Sequence, residues 1–314
     1  MGEKDISEKI LFDYNDVFAD IINVCVFDGR ENIKPEDLEN ALVHSQYKAE
    51  DGKLHEEERD IAKYWKQKKS AIALYGIENQ SEVDYKMPFR IIGYDGASYR
   101  SQLLSKTKNI VPVASFVLYF GIENHWTKKR AIKELMQVPK ELEPYINDYK
   151  INIVEVAWLS DEQLKQFKSD FGIVANFFVQ KRRNKNYVPE DTREIQHVDE
   201  VLKLLSVMTK DDTYRNMLYQ KDKEEEMESK GEVKTMCDVA ERLKNMGKKE
   251  GLREGLQKGL CEGRREELLR QTEAKLAKGK TNEQIADELE LTMEETKELI
   301  KVFSDKQARR WKTS

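Results

Sequence analysis

The chain has 314 residues, enough for one well-filled core with an appendage or for two domains. Charged residues make up 36% and apolar ones 39%, a balance that fits a soluble protein with long exposed helices. The formal net charge of −5 excludes nucleic-acid binding driven by overall charge, so any such contact must use local basic patches. Cys25, Cys237 and Cys261 lie far apart with no CxxC or Cys/His spacing, which points to ordinary thiols in a reducing cytoplasm and argues against zinc. No apolar leader opens the sequence and no apolar run approaches ~18–20 residues, so a cytoplasmic protein without a membrane partner is expected.

From Asp13 to Phe27, Val17, Phe18, Ile21, Ile22 and Val24 recur at helical spacing, with Asp13, Asp16 and Asp20 near the polar side. Phe27-Asp-Gly-Arg30 reads as a turn, Lys34–Leu38 as a short helix start, and Tyr47–Glu58 as a polar loop. Arg59–Trp65 and Ala71–Gln80 carry β-formers on either side of a short basic link. In the second strand Ile72, Leu74, Gly76, Glu78 and Gln80 share one face at period two, while Asn79 faces away. A hairpin of these strands brings Asp60 close to Glu78 and Gln80.

Met87–Lys108 returns to helical periodicity, and Val111–Phe120 reads as a buried strand. Lys128–Gln137 is expected as a helix, Ile151–Leu159 as a strand, and Asp161–Ser169 and Phe171–Lys181 as helices. Strands alternating with helices in this order imply an α/β core. After a basic loop at Lys181–Tyr187, Val198–Gln220 is helical and Lys221–Arg270 reads as one long charged helix. Within it Gly247, Gly251, Gly255, Gly259 and Gly263 recur every fourth residue, and Leu252, Leu256 and Leu260 each follow a glycine. Two readings stand for this stretch, a charged linker helix or a seam for homo-oligomerisation. Thr281-Asn-Glu-Gln284 and Thr292-Met-Glu-Glu295 are capping-box patterns that start two short helices. Their pairing resembles a helix-turn-helix, although Glu294, Glu295 and Glu298 would repel phosphate, so a structural or protein-binding hairpin is the other reading. The expected division is 1–185 as core, 186–225 as a helical extension, 226–278 as the glycine-punctuated helix and 279–314 as the terminal module.

The chemistry suggested by the hairpin is phosphodiester hydrolysis. Mg2+ takes oxygen ligands and keeps several waters, so one or two carboxylates suffice to hold it. Asp60 and Glu78 supply them, the Asn79 backbone carbonyl offers a third oxygen, and Gln80 can orient a water. The spacing alone is also met by chance in many charged proteins, where such acids are surface carboxylates. Gly121-Ile-Glu-Asn124 repeats the wording around Glu78, but no acid precedes it as Asp60 does. Arg90, Gln102, Lys181, Arg182 and Arg183 are candidate DNA contacts, against solvated or internally paired side chains.

The blocks Glu-Arg-Asp-Ile-Ala-Lys, Gly-Ile-Glu-Asn-Gln and Asp-Tyr-Lys-Met-Pro-Phe-Arg, followed by Gly-Tyr-Asp-Gly-Ala-Ser-Tyr-Arg-Ser-Gln-Leu, resemble the Rpn family of bacterial recombination-promoting nucleases and transposase-like proteins. That family belongs to the PD-(D/E)XK nuclease superfamily, and the resemblance covers roughly residues 10–180. It implies an α/β fold with a mixed sheet flanked by helices, followed here by a long charged C-terminal helix and a small terminal helical hairpin. It also implies Mg2+-dependent DNA cleavage, with Mn2+ or another divalent cation as a substitute, linked to recombination or mobile elements. Carried over, the first acid falls on Asp60, the second on Glu78, the lysine position on Gln80 and a supporting acid on Asp20. Two positions depart from the pattern: Arg59 stands where proline precedes the first acid, and Gln80 stands in place of lysine. The alternative reading is a catalytically degenerate nuclease fold acting in DNA binding or protein assembly.

Overall fold

The computed structural model describes residues 11–42, 44–48, 54–68, 70–105, 109–127, 129–217 and 233–311, with the backbone alone for 44–48, 54–58 and 303–311. The chain divides into two compact units, Met1–Arg242 and Leu243–Ser314.

The first unit is built on a five-stranded mixed sheet. Helix α1 (Asn15–Phe27) precedes it and ends where Asp28 and Gly29 take left-handed φ values of 53° and 78°. Gly29 N–H closes that end by donating to Asn23 O at 3.0 Å, a turn for which glycine is suited because it has no Cβ to clash. The buried Asn23 amide then donates to Ile33 O at 2.8 Å and accepts from Ile33 N at 3.0 Å, which fixes the path of the next loop. A 3-10 turn at Pro35–Asp37 leads into β1 (Leu38–Asn40).

Strands β2 (His44–Lys48) and β3 (Leu54–Glu58) form a separate antiparallel ribbon, with His44 opposite Glu58 and Lys48 opposite Leu54. The polar texture of Tyr47–Glu58 led to a loop expectation. Tyr47–Lys48 and Leu54–Glu58 are strand, held by the backbone pairing of β2 with β3, and residues 49–53 lie outside the described residues.

The main sheet then adds β4 (Ile61–Gln67), β5 (Ser70–Gln80), β6 (Val113–Tyr119) and β7 (Asn152–Glu155), in the order β1-β4-β5-β6-β7. The β4–β5 pair is antiparallel, whereas β5–β6 and β6–β7 are parallel. Parallel neighbours need a crossover, and α2 (Met87–Leu104) supplies the first one. Its buried Met87, Ile91 and Tyr94 pack on Val117 and Tyr119 of β6, together with Trp126 and Ile151. This is the face that carries Glu78.

Helices α1 and α5 (Asp170–Arg183) cover the opposite face. Phe12 meets Phe171 at a ring separation of 5.9 Å, and Phe120, just past β6, meets Phe178 at 5.1 Å. Between these helices and the sheet lies Lys63, 1% exposed, whose ammonium donates to Asp13 O at 2.8 Å and Asn40 Oδ1 at 2.5 Å and pairs with the Asp13 carboxylate at 3.2 Å. Burial depresses its basicity against the pull of Asp13.

Three segments are shorter or differently shaped than their sequences suggest. Helix α3 is the single turn Ile132–Leu135, because the flanking backbone is committed elsewhere. Ala131 bridges to Lys150, and Arg130 O accepts from Ile151 N at 2.9 Å. β7 gives way at Val156–Trp158 to a 3-10 turn, and α4 covers only Asp161–Leu164 before α5 begins at Asp170. Helix α6 (Val198–Thr209) ends at Lys210, whose φ is 57°, and residues 218–232 lie outside the described residues.

The second unit takes most of α7 (Met236–Ala277), then α8 (Asn282–Leu289) and α9 (Met293–Trp311). Both capping boxes form: Thr281 N donates to Gln284 Oε1 at 3.0 Å, and Thr292 N donates to Glu295 Oε2 at 2.9 Å. Ile285, Thr296 and Leu299 are buried between these helices, and Lys275 near the end of α7 pairs with Glu288 of α8. Among the described residues no helix is long and apolar enough to cross a membrane.

The dock of α2 on the sheet depends on a buried ion pair. Asp95 on α2 accepts from Arg59 Nη2 at 2.5 Å, from Ser115 Oγ of β6 at 2.5 Å and from the Tyr149 hydroxyl. Gly76 makes this possible, because a Cβ there would collide with the Arg59 guanidinium. Asp95→Ala would leave that guanidinium buried without its counter-charge and is expected to cost about 3–5 kcal/mol of unfolding free energy in urea titrations. An Arg59→Met/Asp95→Leu double variant should recover most of that loss, since it removes both charges.

Candidate active site

The site begins with strand register. Ile61 pairs with Ile77 in the antiparallel β4–β5 ladder, so Asp60, one residue before β4, lies opposite Glu78. Asp60 N–H donates to Glu78 Oε1 at 3.2 Å, and Asp60 Oδ2 accepts from Asn79 N–H at 2.8 Å. Each acid therefore meets the other's strand, and the two carboxylates face one another at the same end of the sheet.

Glu78 is 1% exposed. Burial pushes its carboxyl up to about 8, and the adjacent Asp60 charge adds to the rise. Arg90 opposes it: Nη2 lies 3.3 Å from Glu78 Oε2, and Nη1 lies 3.3 Å from Asp84 Oδ2. The Tyr94 hydroxyl, 3.2 Å from Arg90 Nη2, completes the setting. Arg90 comes from the first turn of α2, so the helix that the buried Asp95 anchors also places this guanidinium. Its side chain is 38% exposed, which leaves one side open to solvent.

The other sequence-derived residues fall in different places. Gln80 stands at the end of β5, half-buried and on the Glu78 face, with its backbone O accepting from Phe120 N at 2.8 Å. The Asn79 side chain lies on the opposite face, buried, with neither amide atom hydrogen-bonded. Asp20 is used between helices: its Oδ2 accepts from Lys168 N at 2.9 Å, Ser169 N at 2.8 Å and Ser169 Oγ at 2.7 Å, tying α1 to the start of α5.

Gln102 is turned inward, 5% exposed, with both amide atoms bonded to the Val111 backbone at 3.2 and 2.8 Å, so it fastens α2 to the approach of β6 and offers nothing to a phosphate. Lys181, Arg182 and Arg183 form the last turn of α5 rather than a loop. Arg182 stacks 4.2 Å from the Trp158 ring and donates to Ala157 O at 2.7 Å, and Arg183 pairs with Asp161 at 2.8 Å. Neither the buried charge of Arg59 nor its partner Asp95 is announced by the residues beside it in the sequence. The available signal was Gly76, a glycine inside an otherwise well-filled strand, which marks close approach of another group.

Among the described residues no group of three or more His, Cys, Asp and Glu side chains is arranged to hold a metal ion. The donor set here is two carboxylates with neighbouring backbone oxygens. It fits a hard divalent cation in one respect that the structure makes concrete. The Asp60 charge is the second cause of the raised Glu78 carboxyl, and a cation between the two oxygens would relieve that repulsion.

A family model described as "Putative transposase, YhgA-like" matches residues 37–215, from the entry to β1 through α6. The chain belongs to this family. The match contains Asp60, Glu78, Gln80 and Arg90 together with every strand of the sheet, while α1 and α7–α9 lie outside it. Searches of curated proteins and of solved structures found no match. Family membership associates the chain with mobile elements.

The raised Glu78 carboxyl has a consequence for stability. Between the ordinary carboxylate range and about 8, the folded chain holds a proton on Glu78 that the unfolded chain releases. This contribution favours the fold at low pH and is lost as pH rises through that window. Without divalent cations, the wild-type melting temperature should therefore decline more steeply between pH 5 and 8.5 than that of Glu78→Gln. Parallel profiles in a calorimetric pH series would show that Glu78 is ionised throughout.

Proposed function

We propose that this chain is a divalent-metal-dependent DNA endonuclease of the cytoplasm, hydrolysing phosphodiester bonds in recombination or mobile-element movement. One observation carries the reading: a carboxyl group buried beside a second one, under a guanidinium that is open to solvent on one side. A sheet gains nothing from two facing acids as packing, whereas cation binding gains from both.

In this reading Asp60, Glu78 and the Asn79 backbone carbonyl hold Mg2+ or Mn2+, which would lower the pKa of a bound water and offset charge on the phosphate. With a cation bound, Glu78 would be held in its ionised form. Arg90, whose Nη2 lies beside Glu78 and whose side chain is open to solvent on one side, would reach a non-bridging phosphate oxygen, so that a cation from α2 serves where Gln80 lacks one. Gln80, on the same face, accepts from or donates to the attacking water. Arg59 keeps Asp60 in place through its buried pair with Asp95 and does not touch the substrate. Of the basic residues that end α5, Arg182 and Arg183 are engaged within the protein, which leaves Lys181 as the one suited to follow the DNA backbone.

The second reading, a degenerate nuclease fold used for DNA binding or assembly, draws on the uncharged amide at Gln80. Plasmid nicking in Mg2+ or Mn2+ separates the two. Asp60→Asn and Glu78→Gln should each lower the cleavage rate by about 100-fold or more while the circular dichroism spectrum is kept. Arg90→Ala should lower it by ~10-fold or more, with Arg90→Lys recovering part of the loss. No metal-dependent cleavage by folded wild-type protein would favour the second reading, and cleavage untouched by both acid substitutions would remove the assigned site.

A further inference from the structure

Helix α2 packs one side on the Glu78 face of the sheet and leaves an apolar stripe on the other. Phe89, Ile92, Gly96, Tyr99 and Leu103 recur at spacings of three and four, so they line one face of the helix. Phe89, Tyr99 and Leu103 are 44%, 38% and 66% exposed, and Gly96 keeps the middle of the stripe flat. From Phe89 to Tyr99 the stripe runs about 15 Å, at ~1.5 Å per residue. The Tyr99 hydroxyl accepts from Val113 N–H at 3.1 Å, which holds that ring in place while it stays in contact with solvent. Single exposed apolar residues are ordinary, whereas an aligned row of them marks a contact surface.

The charges around the stripe say what it contacts. The chain carries 59 Asp and Glu, yet the only acid among the 18 residues of α2 is Asp95, which is buried against Arg59. The charged groups that border the stripe are cationic: Arg100 beside Tyr99, Arg90 beside Phe89, and exposed Lys86 one turn before Arg90, its ammonium 5.6 Å from the centre of the Tyr85 ring. A second copy of this face would set cation against cation, whereas a polyanion matches it. Paired duplex DNA supplies phosphates and groove edges but hides the flat faces of its bases. Unpaired nucleotides supply phosphates for the cations and base faces for the rings. The stripe is also continuous with the carboxylate pair, because Arg90 lies 3.3 Å from Glu78.

We propose that this face of α2 binds unpaired nucleotides of a DNA strand, with Phe89 and Tyr99 as stacking rings and Arg100 on the backbone. Under the nuclease reading, on which this consequence rests, the face selects single-stranded or locally unpaired DNA as the substrate. The binding itself requires neither metal nor turnover.

Fluorescence anisotropy with the full-length chain, without divalent cations, reads the binding alone. The probes are a labelled single strand of about 20 nucleotides, the same strand paired into duplex, and an abasic strand of equal length and charge. The wild type should bind the intact single strand ~10-fold or more tighter than the duplex or the abasic strand. Phe89→Ala and Tyr99→Ala should each weaken single-strand binding by about 5–100-fold with the circular dichroism spectrum kept, and Phe89→Trp should retain it. Arg100→Ala should weaken binding to all three probes and reduce its salt dependence. Equal affinity for intact and abasic strands, or single-strand binding untouched by both alanine substitutions, would overturn the stacking face. Self-association in sedimentation velocity that falls in a Phe89→Ala/Tyr99→Ala chain would assign the face to a second copy and overturn it as well. Single-strand binding that depends on Phe89 and Tyr99, with no metal-dependent cleavage, would keep the stacking face and remove the nuclease reading.

Discussion

The antiparallel pairing of β4 with β5 sets two carboxylates against each other, and the chemistry of the first unit depends on that constraint. With Ile61 opposite Ile77, Asp60 and Glu78 have no freedom to separate, since each is hydrogen-bonded to the backbone beside the other. Burial raises the energy of the second negative charge and Arg90 partly offsets it. The outcome is a carboxyl that keeps its proton near neutral pH and has a cation already at its side. Under the proposed function a divalent ion would compete with both, and its binding would be a proton exchange as well as a coordination event.

Charge is buried on both sides of this sheet, with a different use on each. On the Glu78 face, Arg59 and Asp95 join the strand entry to α2, with Ser115 and Tyr149 completing the hydrogen bonding of the carboxylate. On the other face, Lys63 joins β4 to the start of α1 and to β1. Such pairs give little net stability against well-packed apolar residues, because desolvation offsets the attraction. Here they fix where α2 and α1 sit. The Asp95 anchor and Arg90 lie on one helix, so an error in its placement would move the guanidinium away from Glu78.

Much of this was legible in the sequence because it is local. The period-two pattern of β5 put Glu78 and Gln80 on one face and Asn79 on the other, and the short link after β4 implied the hairpin that delivers Asp60. The capping boxes at Thr281 and Thr292 named the starts of α8 and α9, since capping needs only residues three apart. Contacts between distant segments were not legible. Nothing near Arg59 announces Asp95, 36 positions later, and Gln102 reads as a surface residue until Val111 is seen beneath it. The ribbon of β2 and β3 carries no apolar alternation because backbone pairing suffices to form it. The expected helix at Lys128–Gln137 shrank to one turn because Ala131 and Arg130 had partners in another segment.

The most direct test of the account is the proton count of metal binding. Mg2+ or Mn2+ titrated calorimetrically into the full-length protein at pH 7, in two buffers of different ionisation enthalpy, measures protons released per ion bound. One binding event per chain is expected, releasing close to one proton in the wild type and abolished in Glu78→Gln. Binding without proton release, or binding unchanged in Glu78→Gln, would contradict it.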